Sequence, residues 1–196
     1  MKRLLTAVTI IILTGCTTAS TTPLSLPLQE RLRNPLLAER YWSGMAEHLA
    51  DFVRTKDPII KDSAKAAIID SERLRALDRV AQARALIDEG MSGKFQTFTL
   101  NEDAFGEALL RDNILYFSAA FEIKPNPSVM VFLSSIVDPR DTGFPDATAV
   151  SLGQLQTAFG PQSYEIAEGR LSADARTVVL YDTRLERVIG FAQLAR

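Results

Sequence analysis

The side chains that most often do chemistry are scarce in this chain. Its 196 residues hold one histidine, His48, and one cysteine, Cys16. A zinc site assembled from several Cys and His, and an intramolecular disulfide, are both out of reach. His48 falls in Glu47-His48-Leu49 on a predicted helix with a charged face, the setting of a solvated imidazole rather than the base of a Ser-His-Asp triad. Carboxylates are the remaining resource. Asp138, Asp141 and Asp146 cluster in the loop SSIVDPRDTGFPDAT, where three acids and nearby carbonyls are weak candidates for Ca²⁺. The EF-hand spacing is missing, two of the acids adjoin proline and Arg140 stands between them, so turn chemistry is the first reading. Glu102 and Asp103 form a second acidic pair. Asp182 lies at a predicted strand end, with Arg184 or Arg187 as its partner. No phosphate-binding glycine loop and no dinucleotide fingerprint occurs. The expectation is a protein that is not an enzyme and has no cofactor of its own.

One run carries more information, Leu152-Gly153-Gln154-Leu155-Gln156-Thr157-Ala158-Phe159-Gly160-Pro161-Gln162-Ser163-Tyr164-Glu165-Ile166. Gly153 and Gly160 suit positive-φ or tight-turn positions, and Tyr164 offers a ring for the core with a hydroxyl that needs a partner. Gln162 can hydrogen-bond loop backbone. The first reading is a β corner held by a Gln–Tyr pair; the alternative is contact with a ligand. Tyr41 and Trp42 stand together early in a predicted helix, either anchoring it to the body or forming a partner surface.

The cysteine has a context of its own. Lys2 and Arg3 precede an apolar stretch from Leu4 to Leu13, about half the roughly 20 residues that a spanning helix needs. Leu13-Thr14-Gly15-Cys16 resembles the lipobox of bacterial lipoproteins. The resemblance implies cleavage of residues 1–15 and acylation of Cys16, with several acyl chains holding the protein on a membrane. Thr17 after the cysteine implies, for a Gram-negative host, sorting to the outer membrane.

Elements must position whatever these residues do. Residues 16–33, rich in Thr, Ser and Pro, read as a tether, with Leu24, Leu26 and Leu28 alternating as in a short strand. Residues 34–90 read as a helical hairpin. Asn34-Pro35 starts a helix to about Thr55, and Asp57-Pro58 starts a second one to about Glu89, closed by Gly90. Ile60, Ala67, Leu74 and Ala81, joined by Ala64, Leu77 and Ala85, form a stripe along that second helix. It reads as the hairpin's own packing face or as a surface, within 58–89, for an envelope protein or a second copy. From 91 to 196 the period shortens. Ile114–Phe117, Val129–Leu133, Thr177–Tyr181 and Val188–Ala192 are apolar runs separated by turn signals, which predicts an antiparallel β-sandwich or small barrel and an α+β chain overall.

Residues 92–194 resemble the DM-thirteen domain family. The resemblance rests on Phe121 to Ser134 (FEIKPNPSVMVFLS), on the run from Leu152 to Ile166, and on Val178-Val179-Leu180-Tyr181-Asp182 followed by Phe191-Ala192-Gln193-Leu194. It implies a compact β-sandwich and a role in electron transfer. Two departures bear on that role. The family's Gly-Pro-Asp corner is Asn126-Pro127-Ser128, and Asp182 stands where the family has the cysteine on which its redox chemistry depends. A carboxylate forms no thiolate, disulfide or sulfenic acid. A net charge of −2 with pI near 5.5 gives no footprint for nucleic acid. The composite reading is an outer-membrane lipoprotein with a binding or envelope-assembly role, the alternative being a redox or cofactor-binding module.

Overall fold

The computed structural model describes residues 27–196. The lipobox, Cys16 and the tether as far as residue 26 lie outside the described residues. Among the described residues no helix is long and apolar enough to cross a membrane. Leu28, expected in a strand-like alternation, instead opens a helical turn, α1 (Leu28–Arg31).

The hairpin begins where its cap residue stands. α2 (Pro35–Arg54) has Asn34 at its N-cap, whose Oδ1 accepts from the N–H groups of Leu36 at 3.0 Å and Leu37 at 3.3 Å. Pro35 follows at the first helical position, where its missing N–H costs nothing. The second helix differs from expectation. Asp57 starts only a 3₁₀ turn, Pro58–Lys61, and Asp62 then caps α3 (Ser63–Asp88) by accepting from Ala64 and Lys65.

The packing face of α3 is also not the one its sevenfold stripe suggests. Ile69, Ala76, Val80 and Ala83 are buried, while Leu74 is 62% and Leu77 45% exposed. Apolar residues stand on opposite sides of α3, and the side meeting α2 was chosen by tertiary packing rather than by periodicity.

The β domain is one curled antiparallel sheet rather than two stacked ones. Its strands are β1 (Met91–Thr97), β3 (Glu107–Arg111), β4 (Ile114–Phe117), β6 (Val129–Ser134), β7 (Val150–Gln154), β8 (Gln162–Glu165), β9 (Thr177–Asp182) and β10 (Arg187–Gln193), in the order β7-β6-β9-β10-β1-β3-β4-β8. The short pair β2 (Ala104–Phe105) and β5 (Glu122–Ile123) stands apart from that ladder. A short helix, α4 (Pro139–Thr142), interrupts the loop between β6 and β7. The α+β architecture is as the sequence indicates, and the small barrel is the form it takes.

Alternation fills the interior. Phe95, Leu115, Phe117, Phe121, Ile123, Val131, Leu180 and Ile189 point inward from successive strands. Phe95, Phe117 and Phe121 meet with ring centroids 4.6–5.1 Å apart. A second cluster of Val179, Tyr181, Val188 and Phe191 lies on the other face of the sheet, packed with Phe98, Phe132 and Phe144. Phe144 comes from the β6–β7 loop, so that loop is a cover. This is why every residue of β9 is buried.

Candidate functional site

The hairpin is fixed to the barrel through its first cap. Asn34 Nδ2 donates to the Phe117 carbonyl at 2.7 Å, so one buried side chain starts α2 and holds it to β4. At the other end, Arg111 on β3 reaches Glu89 at 2.9 Å, just beyond α3. A groove of about 610 Å³ between hairpin and barrel is lined by Leu36, Glu39, Arg84, Lys94 and Glu107. On its hairpin wall, Glu39 of α2 pairs with Arg84 of α3 at 2.8 Å.

The residues picked out around Gln162 form one connected arrangement. Gly153 (φ +114°) and Gly160 (φ +83°) occupy the left-handed region that disfavours other residues. Tyr164 Oη donates to Gln162 Oε1 at 2.7 Å, and that oxygen also accepts from the N–H groups of Gln156 at 3.1 Å and Thr157 at 3.3 Å. Gln162 Nε2 returns a bond to the Thr157 carbonyl at 2.9 Å. The pair thus holds the β7–β8 connection. Burial pushes the Tyr164 phenol up to about 12. The geometry is that of a corner, and a groove of about 390 Å³ lined by Asn34, Leu37, Tyr116, Gln156 and Gln162 adjoins it.

Asp182 is fully buried, and neither Arg184 nor Arg187 is its side-chain partner. Its carboxylate accepts from the backbone N–H groups of Arg184 (2.8 Å), Leu185 (3.0 Å) and Ser128 (3.2 Å). Burial raises its pKa, but the N–H groups of Leu185, Ser128 and Arg184 outweigh it, aided by the Arg184 charge. The group is held below the ordinary 3.8. Arg187 instead pairs with Glu102, a residue that also accepts from Asn126 Nδ2 at 3.2 Å. Glu102 is only 6% exposed, so the second acidic pair splits into a buried partner of Arg187 and an Asp103 bound to Lys124 at 2.8 Å.

The three loop acids do not converge. Asp138 caps α4 and is held low by its hydrogen bond to Arg140. Asp146 accepts from Ser134 Oγ and the Thr148 N–H, each at 2.7 Å, while Asp141 is exposed. Among the described residues no three His, Cys, Asp or Glu side chains are grouped to hold a metal ion, which corrects the calcium candidate. Arg140 lies over the Phe191 ring at 4.9 Å, so the loop's charge serves its role as a cover.

Tyr41 and Trp42 meet edge to face at 4.9 Å, with Tyr41 37% exposed and Trp42 half-buried beside Leu28, Leu32 and Arg79. His48 is exposed.

Two features had no separate signal in the sequence. One is the second role of Asn34. The other is a row of exposed side chains, Phe105, Glu122 and Phe159, created only when β2, β5 and the 155–161 segment come together.

Fold and corner define a small antiparallel β-barrel domain carrying an N-terminal helical hairpin. The chain belongs to the DM13 family: residues 97–194, half of the sequence, match the family model described as electron transfer DM13. No curated protein and no solved structure matches the chain.

The family's description implies a redox centre, and this chain's donor set does not fit one based on thiols or imidazoles. Residues 97–194 contain neither Cys nor His. The Asp182 carboxylate is engaged by three backbone N–H groups.

Proposed function

We propose that this protein is a lipid-anchored lipoprotein of the bacterial outer membrane whose DM13 domain is a non-enzymatic binding module in the cell envelope. The observation that carries the binding reading is the occupied Asp182 corner. Where thiol chemistry would need a free sulfur, a carboxylate fastens the β9–β10 turn to the start of β6. The anchor rests on the Leu13-Thr14-Gly15-Cys16 sequence. In this reading the mature chain begins at Cys16, and its acyl chains hold the hairpin and barrel close to the membrane.

Two measurements test the two halves. Cys16→Ser should move the protein from the membrane fraction to the soluble periplasmic fraction; unchanged fractionation overturns the anchor. The purified full chain should show no visible absorption band, because its binding role needs no chromophore.

The family's description favours a second reading, electron transfer. With no Cys or His in the domain, it requires a chromophore held by other residues. A stoichiometric visible band that bleaches or shifts on reduction would establish that reading and overturn the first.

A further inference from the structure

We propose that Phe105, Glu122 and Phe159 form a site for one cationic side chain, arginine above all, presented by a protein partner. This deepens the binding-module reading and rests on it. Strand register places the three residues side by side. Phe105 on β2 stands directly opposite Glu122 on β5, and Glu122 is bridged on its other side to Phe159. Ile123 N–H donates to the Ala158 carbonyl at 3.0 Å and Gly160 N–H to the Phe121 carbonyl at 2.8 Å. Those bonds flank Glu122 and Phe159, making them a non-hydrogen-bonded pair, the type whose side chains stand closest.

Residues opposite one another on neighbouring strands share a face. Ala104, Phe121 and Ile123 are each 1% exposed and take the inward face, which leaves the row to solvent. Phe105 is 54% and Phe159 56% exposed, with the exposed Glu122 between them. Two strand spacings separate the phenylalanine backbones, about 10 Å, with Glu122 on the strand between them.

Charge then names the occupant. Two residues further along, just beyond β2 and β5, Asp103 is neutralised by Lys124 at 2.8 Å. Glu122 has no such partner: among the described residues no basic group lies within ion-pair distance of it. A carboxylate between two aromatic rings matches a guanidinium, which accepts bidentate pairing to the acid and stacking by the rings. A protein partner suits the row better than an anionic membrane surface, which the unpaired acid would repel.

The test uses the detergent-solubilised full chain labelled with ¹³C-phenylalanine, its two ring signals assigned from Phe105→Leu and Phe159→Leu. N-acetyl-arginine methylamide should shift both signals saturably, and the neutral citrulline analogue should not. Glu122→Gln should weaken the arginine response about fivefold or more. Phe159→Leu should also weaken it, so a misfolded Glu122→Gln protein would not leave the matter undecided. The proposal is overturned by an equal response to citrulline, by undiminished binding in both variants, or by no response of the two rings. A response to phosphatidylcholine vesicles without one to arginine also overturns it. These results do not touch the anchor, which Cys16→Ser tests, or the chromophore, which the spectrum tests.

Discussion

Ser128 and Asp182, 54 positions apart in the sequence, touch. Ser128 N–H donates to Asp182 Oδ2, and Thr183 N–H donates back to the Ser128 carbonyl at 2.9 Å. A carboxylate therefore ties the end of β9 to the residue just before β6. With three N–H donors depending on it, Asp182 acts as an internal acceptor that no neutral side chain of similar size can match. Its pKa is depressed on folding, so its contribution is present above the ordinary 3.8 and is lost as pH falls through the folded value. Urea midpoints measured from neutral pH down through that range should fall, and Asp182→Asn should flatten the dependence. At neutral pH that variant should lose about 2 kcal/mol, and Asp182→Cys at least as much, because sulfur accepts poorly. An Asp182→Cys protein of unchanged stability would show that the three bonds carry little. The occupancy of the corner was hidden in the sequence, because two of its three donors are near Asp182 but Ser128 lies 54 positions away.

Among the secondary-structure elements, local signals suffice where they are complete within a few residues. Asn34-Pro35 is such a signal, and α2 begins where it predicts. Asp57-Pro58 is equally local, yet it starts only one 3₁₀ turn, because Asp62 offers a second cap four residues later. The face of α3 is different in kind. Ala67, Leu74 and Ala81 repeat at seven, but so do Ile69, Ala76 and Ala83, and only the position of α2 decides between them. The buried joint between hairpin and barrel is the Nδ2 of Asn34, and two substitutions separate its roles. Asn34→Asp keeps the acceptor that caps α2 but removes the donor to Phe117. Asn34→Ala removes both and should cost about 1–2 kcal/mol more than the aspartate, on the scale of a lost N-cap. Hydrogen exchange resolves the difference. The aspartate variant should speed exchange where α2 meets β4 while protecting the first turn, and the alanine variant should expose both.

For the whole molecule, the decisive feature is that β7 and β8, neighbours in sequence, stand at opposite ends of the strand order. Apolar runs marked the strands, but no run states which strand lies beside which, so the single curled sheet was legible only as one of two β architectures. The segment joining its ends is held by side chains. Gln156 N–H donates to both Gln162 Oε1 and Tyr164 Oη at 3.1 Å, and Gln156 Nε2 caps the Ser163 carbonyl at 2.7 Å. Ionising Tyr164 would remove its donated bond to Gln162 and place a charge in the core, so barrel closure should be sensitive to alkali. Below the ordinary tyrosine value of 10.0, folded and unfolded chains both keep this phenol protonated, and its contribution is complete. As pH rises from there to about 12, the unfolded chain ionises first and stability is lost progressively. Tyr164→Phe should flatten the fall of the denaturation midpoint across that interval. At neutral pH it should cost only about 1 kcal/mol, since Gln156 N–H keeps Gln162 as its acceptor. Phenolate absorbance provides the independent check. The wild-type chain should retain one late-titrating tyrosine that the variant lacks, and an identical titration of the two would separate the corner from the closure of the barrel.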